Sequence, residues 1–376
     1  MGAPQAGRRE LFSRLLRQAE RAHRQSRFEE AARLYQQAAR YAGADPVRRL
    51  QAYLGAGHAL RLVGRFRMAL RYYERVRELV LGSDQEGFLV DASVGSAMAL
   101  RALGELEEAR RRFESALRHY QAQGDLEGQA YVLWSLGGTL RLIGDFEAAL
   151  RILQKALRLY EHLREPEAEA YVRCALGGLS RMRGQYEASL AYYEEAERLM
   201  RRSRDVFGQA YAACGIANAH RMLGNWSEAS RFFDRAQSLY RRIGDRVSYA
   251  YTLWGEGTLQ KVRGEHAQAR DRFRQAAVLF RATEDDRGLA YVYLGLAELI
   301  LLEGRSVNQA RRYVQAAMRR TERHGYRFER LHADVLALWL EGGPHPEAWQ
   351  ALCAAYRACG SRWMEQIRPE LPLNIP

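Results

Sequence analysis

Lysine is almost missing from this chain of 376 residues: it stands only at Lys155 and Lys261, although lysine and arginine together number 58. So strong a skew marks a GC-rich genome and points to a bacterial source. It also weakens any argument that each arginine was selected for its fork geometry. Proline is scarce, with 8 residues, which leaves long stretches free to be helical. No apolar run reaches the roughly 18–20 residues of a membrane span. The opening "MGAPQAGRRELFSRLL" lacks the apolar core and cleavage site of a secretory leader. It also lacks the Ser or Thr that myristoylation wants at position 6. A cytoplasmic protein without membrane insertion is expected.

Cysteine is rare and badly placed for metal. Cys174 and Cys214 lie one repeat apart and Cys353 and Cys359 near the end, with no C-x-x-C pair among them. Free thiols in a reducing compartment follow. Catalytic signatures are missing too: no G-x-S-x-G, no H-E-x-x-H and no phosphate-binding loop. The histidines are scattered, and His58 and His220 each stand alone. The glycines of "LGAGHAL" and "WGEGTLQ" fall in packing columns. No enzyme, no cofactor and no metal is expected.

What the chain has in abundance is repetition. Glycine recurs at a step of forty: Gly64, Gly104, Gly144, Gly184, Gly224, Gly264 and Gly304. Two residues later comes a large side chain, from Phe66 to Trp226, and five later a small one, such as Ala109 or Ala149. An aromatic or leucine follows (Tyr73, Phe113, Leu153, Tyr193, Phe233, Phe273), then a small residue three on. This reads as a helix–turn–helix unit. The glycine suits a left-handed turn, the alanines allow close approach, and the aromatics fill the space between units.

The pattern resembles the tetratricopeptide repeat, with its apolar–Gly pair in helix A (Leu136-Gly137) and Ala, aromatic, Ala in helix B. The step exceeds the usual 34 residues and is similar to the extended repeats of the LGN/Pins family, as is the "GD" of Gly124-Asp125 and Gly244-Asp245. The resemblance implies an all-α fold, a right-handed superhelical α-solenoid. Its expected organisation is a disordered start (1–7), about eight repeats (8–325), a degenerate capping helix pair (326–360) and an extended tail (361–376). The tail "LPLNIP" is a candidate docking segment.

In the same resemblance, helix A lines a concave groove. Residues 130, 133, 136, 137, 140 and 143 form the packing stripe. The opposite stripe is then the groove. Its columns are tyrosines (Tyr131, Tyr171, Tyr211, Tyr251, Tyr291), a mixed set with Trp134 and Trp254, and a small column that includes Gly215, Gly255 and Gly295. Another runs from His58 and Met98 through Asn218 to Thr258. The last is a cationic row: Arg61, Arg101, Arg141, Arg181, Arg221 and Lys261.

Two explanations of that row stand side by side. Ion pairs four residues on are available to Arg101, Arg141 and Lys261, and contribute roughly 0.3–0.5 kcal/mol each. Cations near helix ends add about 0.3–1 kcal/mol. Alternatively the row binds a partner, with Arg61, Arg181 and Arg221 as the cations left for its carboxylates. The ligand would then be an extended or helical protein segment with acidic and apolar residues, held by a non-catalytic adaptor. Replacing Arg141, Arg181 and Arg221 together by Ala should in that case weaken binding and leave melting unchanged. Nucleic acid is the competing partner, given the net charge of +13, although 45 acidic residues are interspersed. A third reading is a peptide sensor like the quorum-sensing Rap regulators. That family carries an extra N-terminal helical bundle, for which repeats starting near residue 8 leave no room.

Overall fold

A computed structural model describes residues 3–80 and 85–376. Contacts divide the chain into two compact units, Met1–Gly124 with Arg241–Arg246, and Asp125–Tyr240 with Val247–Pro376. The first carries α1 (Ala3–Arg24), α2 (Phe28–Tyr41), α3 (Pro46–Leu62), α4 (Phe66–Val80), α5 (Glu86–Ala102) and α6 (Leu106–Gln123). Residues 1–2 of the segment expected to be disordered lie outside the described residues, and from Ala3 the chain is helical.

The second unit begins with α7 (Leu126–Ile143), α8 (Phe146–Leu163), α9 (Pro166–Met182) and α10 (Tyr186–Arg202). It continues through α11 (Val206–Met222), α12 (Trp226–Ile243), α13 (Arg246–Val262) and α14 (His266–Ala282). Next come α15 (Asp286–Leu302), α16 (Val307–His324), α17 (Arg327–Leu340), α18 (Pro346–Ala358) and the short α19 (Trp363–Gln366). Consecutive helices pack in pairs, and alternate ones also touch: α7 against α9, α9 against α11, α15 against α17. No strand occurs among the described residues. The fold is an α-solenoid.

Local chemistry sets the helix ends. Aspartates at the starts accept a hydrogen bond from the third residue on, as Asp125 does from Gly128 N (2.8 Å) and Asp205 from Gly208 N (2.9 Å). Such caps satisfy donors that a helix start leaves without partners. The glycines of the forty-residue step all adopt positive φ, from +63° at Gly304 to +92° at Gly144. The turn between repeats is less obvious in sequence. Arg164, Arg204 and Glu284 take φ of 58°, 60° and 55°, where Gly124 and Gly244 stand in sister repeats.

The small column of helix A serves packing. A Cβ at Gly215 would lie 2.1 Å from the Tyr193 ring, and one at Gly295 2.7 Å from Phe273. The aromatic of the preceding B helix therefore occupies the room beside these glycines. Close packing of this kind tolerates no added methyl.

The end of the chain departs from expectation. α17 packs on α7, and the Phe328 ring lies 4.9 Å from Phe146 at the start of α8. Within the second unit the closing helices thus return to its first pair. Phe146 N donates to Cys359 O (3.2 Å) and Arg362 N to Arg183 O (3.1 Å). Ser361 Oγ donates to Met182 O (2.6 Å) and Gln366 Nε2 to Gly184 O (3.0 Å). The segment expected to be an extended tail contains a helical turn, α19, and Trp363, Met364, Leu373 and Ile375 are all buried.

Candidate functional site: a groove holding its own chain

The tyrosine column joins repeats. Tyr171 Oη donates to Asp205 Oδ2 (2.6 Å) and Tyr251 Oη to Asp285 Oδ1 (3.2 Å). Both aspartates also cap the following A helix, α11 and α15. Tyr291 Oη donates to Glu329 Oε1 (3.0 Å) on α17. Burial and the neighbouring carboxylates push all three phenols up, so they stay protonated donors. Tyr131 and Tyr211 are half-buried, and Trp134 packs between Tyr131 and Tyr171 at 5.7 and 6.1 Å. This is the inter-repeat staple; it presents little free polar surface.

The cationic row is not uniform. Arg61 and Arg101, in the first unit, are half-buried. Burial and the Arg61 charge push the nearby His58 down to about 3, while its Nδ1 contacts Tyr73 Oη at 3.0 Å. In the second unit, Arg141 reaches Met182 Sδ (3.4 Å). Arg181 holds Nε and Nη1 buried without a hydrogen-bond partner. Arg221 is 0% exposed and Lys261 1%.

Arg221 and Lys261 are buried because residues 373–375 lie across them. Arg221 donates through Nη1 to Asn374 Oδ1, and through Nη2 to Ile375 O (2.9 Å). Asn374 Nδ2 returns a hydrogen bond to Arg221 O (3.1 Å). Lys261 Nζ donates to Leu373 O (2.9 Å) and is ion-paired with Glu298. Glu298, on α15, accepts from Leu373 N. Trp363 Nε1 closes the set by donating to Asn374 O (3.1 Å). Trp254 underlies it, with the Arg221 guanidinium 5.9 Å from its ring centre and Tyr291 4.6 Å away.

Three expectations change. Lys261 pairs with Glu298, 37 residues on, and not with Glu265, which meets Arg263 (2.8 Å). Asn218 does not address the bound chain: its Oδ1 accepts from Arg221 Nη2 (3.2 Å) and its Nδ2 donates to Cys214 O (2.9 Å). It orients the cation. Arg221 is not a freely removable surface charge, so the triple alanine replacement must also perturb folding.

Sequence reasoning missed Glu298; it offered the tail that contains Leu373, Asn374 and Ile375 as a docking segment, without identifying the residues that hold it. For Glu298 the signal was present. It continues the column of Asn218 and Thr258 by one further step of forty, as a single acid in the apolar stretch "LAELILL". For Asn374 no periodicity exists to find it.

Behind the groove, His332 and Tyr356 are wholly buried against Trp363, with ring centres 5.1 and 5.2 Å from it. Tyr356 Oη meets His332 Nδ1 at 2.5 Å. Burial, with Arg287 and Lys261 nearby, pushes His332 down from 6.5 to about 3. Between those values the unfolded chain binds the proton and the folded one does not. The contribution of His332 to stability is therefore full above pH 6.5 and falls by up to about 1.4 kcal/mol per pH unit below it, as does that of His58. Denaturant midpoints at pH 7 and pH 5 should show this, and His332→Phe should flatten the slope. An unchanged slope in that variant would place the acid sensitivity elsewhere.

Among the described residues, no helix is long and apolar enough to cross a membrane, and no group of three or more His, Cys, Asp or Glu is placed to hold a metal. No curated protein matches the sequence. Several solved structures share the fold. A Rap protein complexed with competence and sporulation factor is 14% identical, with a TM-score of 0.58 over 92% of this chain and 99% of that one. The Rap conjugation gene regulator of plasmid pLS20, in complex with the Phr* peptide, is 13% identical (TM-score 0.64; 83% and 95% covered). NprR in complex with its cognate peptide NprX is 11% identical (TM-score 0.63; 92% and 97% covered). The likeness extends over 99% of the Rap chain. The tetratricopeptide-repeat model matches residues 89–162, 166–242 and 208–282, just over half of the chain. With these matches, the forty-residue helical pairs and their left-handed glycines, the chain belongs to the tetratricopeptide-repeat family.

Proposed function

We propose that this chain is a non-catalytic scaffold whose second unit binds an extended, partly acidic segment of a peptide or partner protein along its A helices. The observation that carries this reading is how the groove holds residues 373–375. Lys261, Glu298 and Arg221 take the main-chain groups of Leu373 and Ile375. Contacts to main chain accept an extended segment largely whatever its side chains. Acidic character is suggested by Arg181, whose buried Nε and Nη1 have no partner.

The three similar structures are each described as complexes with a factor or peptide, which supports the same reading here. A peptide-sensing regulator is one form such a scaffold takes. A kinship with extended LGN/Pins-type arrays, suggested by the forty-residue step of the sequence, would agree with a groove for extended chain. Residues 8–325 would be the binding body and 326–376 its closing segment. A cytoplasmic setting suits its four free thiols.

The test is a set of fluorescein-labelled octapeptides that vary in acidic, basic and apolar content, titrated against the full chain by anisotropy. Saturable binding is expected for acidic–apolar members, and Arg181→Ala should weaken it. Absence of saturable binding for every peptide, to the full chain and to variants with a loosened tail alike, would overturn the proposal.

A further inference from the structure

The Asn374 side chain is held at both ends of its carboxamide. Arg221 Nη1 donates to Oδ1, and Arg221 O accepts from Nδ2. A carboxylate in its place could accept from the guanidinium but could give nothing to Arg221 O. An apolar side chain would leave Arg221 Nη1 without this partner and would remove one of two hydrogen bonds to Arg221 O, the other coming from Gly224 N (3.3 Å). Leu373 and Ile375 on either side are 2% and 3% exposed. The site therefore reads an apolar–Asn–apolar sequence and not only a main chain.

The electrostatics around it are incomplete. Among the described residues every hydrogen-bond partner of Arg221 is neutral: Asn218, Asn374 and the Ile375 carbonyl. Burial and the neighbouring Arg181 charge together push Arg221 down to about 9. Arg181 brings a second guanidinium with two buried nitrogens unpartnered. Two adjacent cations that form no ion pair among the described residues favour an occupant that carries an acid.

The direction of the bound chain says where that acid belongs. Leu373 contacts Glu298 on α15 and Lys261 on α13, while Asn374 and Ile375 contact Arg221 on α11. Continuing this way leads to α9, which carries Arg181. Packed helices lie about 10 Å apart, roughly three extended residues.

We propose that residues 371–376 are an intramolecular occupant of a peptide-recognition site specific for apolar–Asn–apolar sequences. The ligand that displaces them in trans carries in addition an acidic residue about three positions after the second apolar one, paired with Arg181. The inference rests on the peptide-binding reading above. It also explains why a second sequence feature is needed. A tethered segment competes at an effective concentration of order mM, so a free peptide with the same contacts cannot displace it at µM concentrations. A charge-assisted bond at a buried guanidinium supplies roughly ten- to a hundredfold.

The experiment uses the full chain, as wild type and as Asn374→Ala, with Ile375→Ser as a second loosened-tail variant. Each keeps all of the helices, which circular dichroism verifies. The probes are fluorescein-labelled LPLNIP, LPLNIPGE and LPLAIPGE, read by anisotropy. LPLNIPGE should bind wild type at least tenfold more tightly than LPLNIP, and that gain should vanish in Arg181→Ala. Both asparagine peptides should bind the two tail variants at least tenfold more tightly than they bind wild type. LPLAIPGE should lose at least tenfold on every protein. Equal binding of LPLNIPGE and LPLAIPGE would overturn the asparagine reading while leaving peptide binding intact. Equal binding to wild type and both tail variants would overturn occupancy by the chain's own segment. No binding of any probe to any variant would overturn the inference together with the peptide-binding reading.

Discussion

Replacing Glu298 by Ala is expected to destabilise the second unit by about 3–5 kcal/mol, because it leaves a buried ammonium without its countercharge. Lys261 is 1% exposed and Glu298 0%, and they are ion-paired. Burial drives Lys261 below its usual range, and only the Glu298 charge and hydrogen bond hold it up. Removing the acid also strands Leu373 N, which donates to Glu298 Oε1. The double change Lys261→Met with Glu298→Leu should recover much of the loss, since a buried pair contributes little net stability over apolar residues of similar volume. Denaturant unfolding followed by circular dichroism reads both variants. A loss below about 1 kcal/mol for Glu298→Ala would mean that water reaches Lys261, against the observed burial. Repeat arrays need not unfold in one step, so midpoints should be compared with slopes constant.

The second large effect is expected at Trp363. It is 0% exposed, packs edge-on to His332 (88°) and tilted against Tyr356 (57°), and donates to Asn374 O. Trp363→Ala should cost about 3–5 kcal/mol through lost burial and a cavity. Unlike Glu298, Trp363 belongs to the closing segment and not to the repeats. The loss should therefore fall on the attachment of residues 359–376. Limited proteolysis should cut there first, with the helices from α7 to α16 still protected. Protection equal to wild type would show that the hydrogen bonds of Ser361, Arg362 and Gln366 hold the segment without the indole.

The helical repeat was legible because its causes are local. A left-handed turn every forty residues asks for glycine, and Gly144 or Gly224 announces it. A helix start asks for a cap, and Asp125 and Asp205 announce that. The local rule also has exceptions, as at Arg164 and Arg204, which are exposed and form the same turn without glycine. The small column was visible, but what fills it was not. The gap beside Gly215 belongs to Tyr193, from the preceding helix pair.

The sequence by itself determined the all-helical repeat, the stripe that faces inward and the row that carries Arg181, Arg221 and Lys261. Each of these depends on spacing along one helix or between equivalent helices, and spacing is written in the chain. Only the tertiary structure decided what the row touches. Asn374 meets Arg221 across 153 residues and Ser361 meets Met182 across 179. Contacts so distant leave no periodic trace, because one partner lies in a repeat and the other in a segment that repeats nothing. The charge of Arg221 suggested a partner's carboxylate, whereas the fold supplied the neutral carboxamide of its own chain.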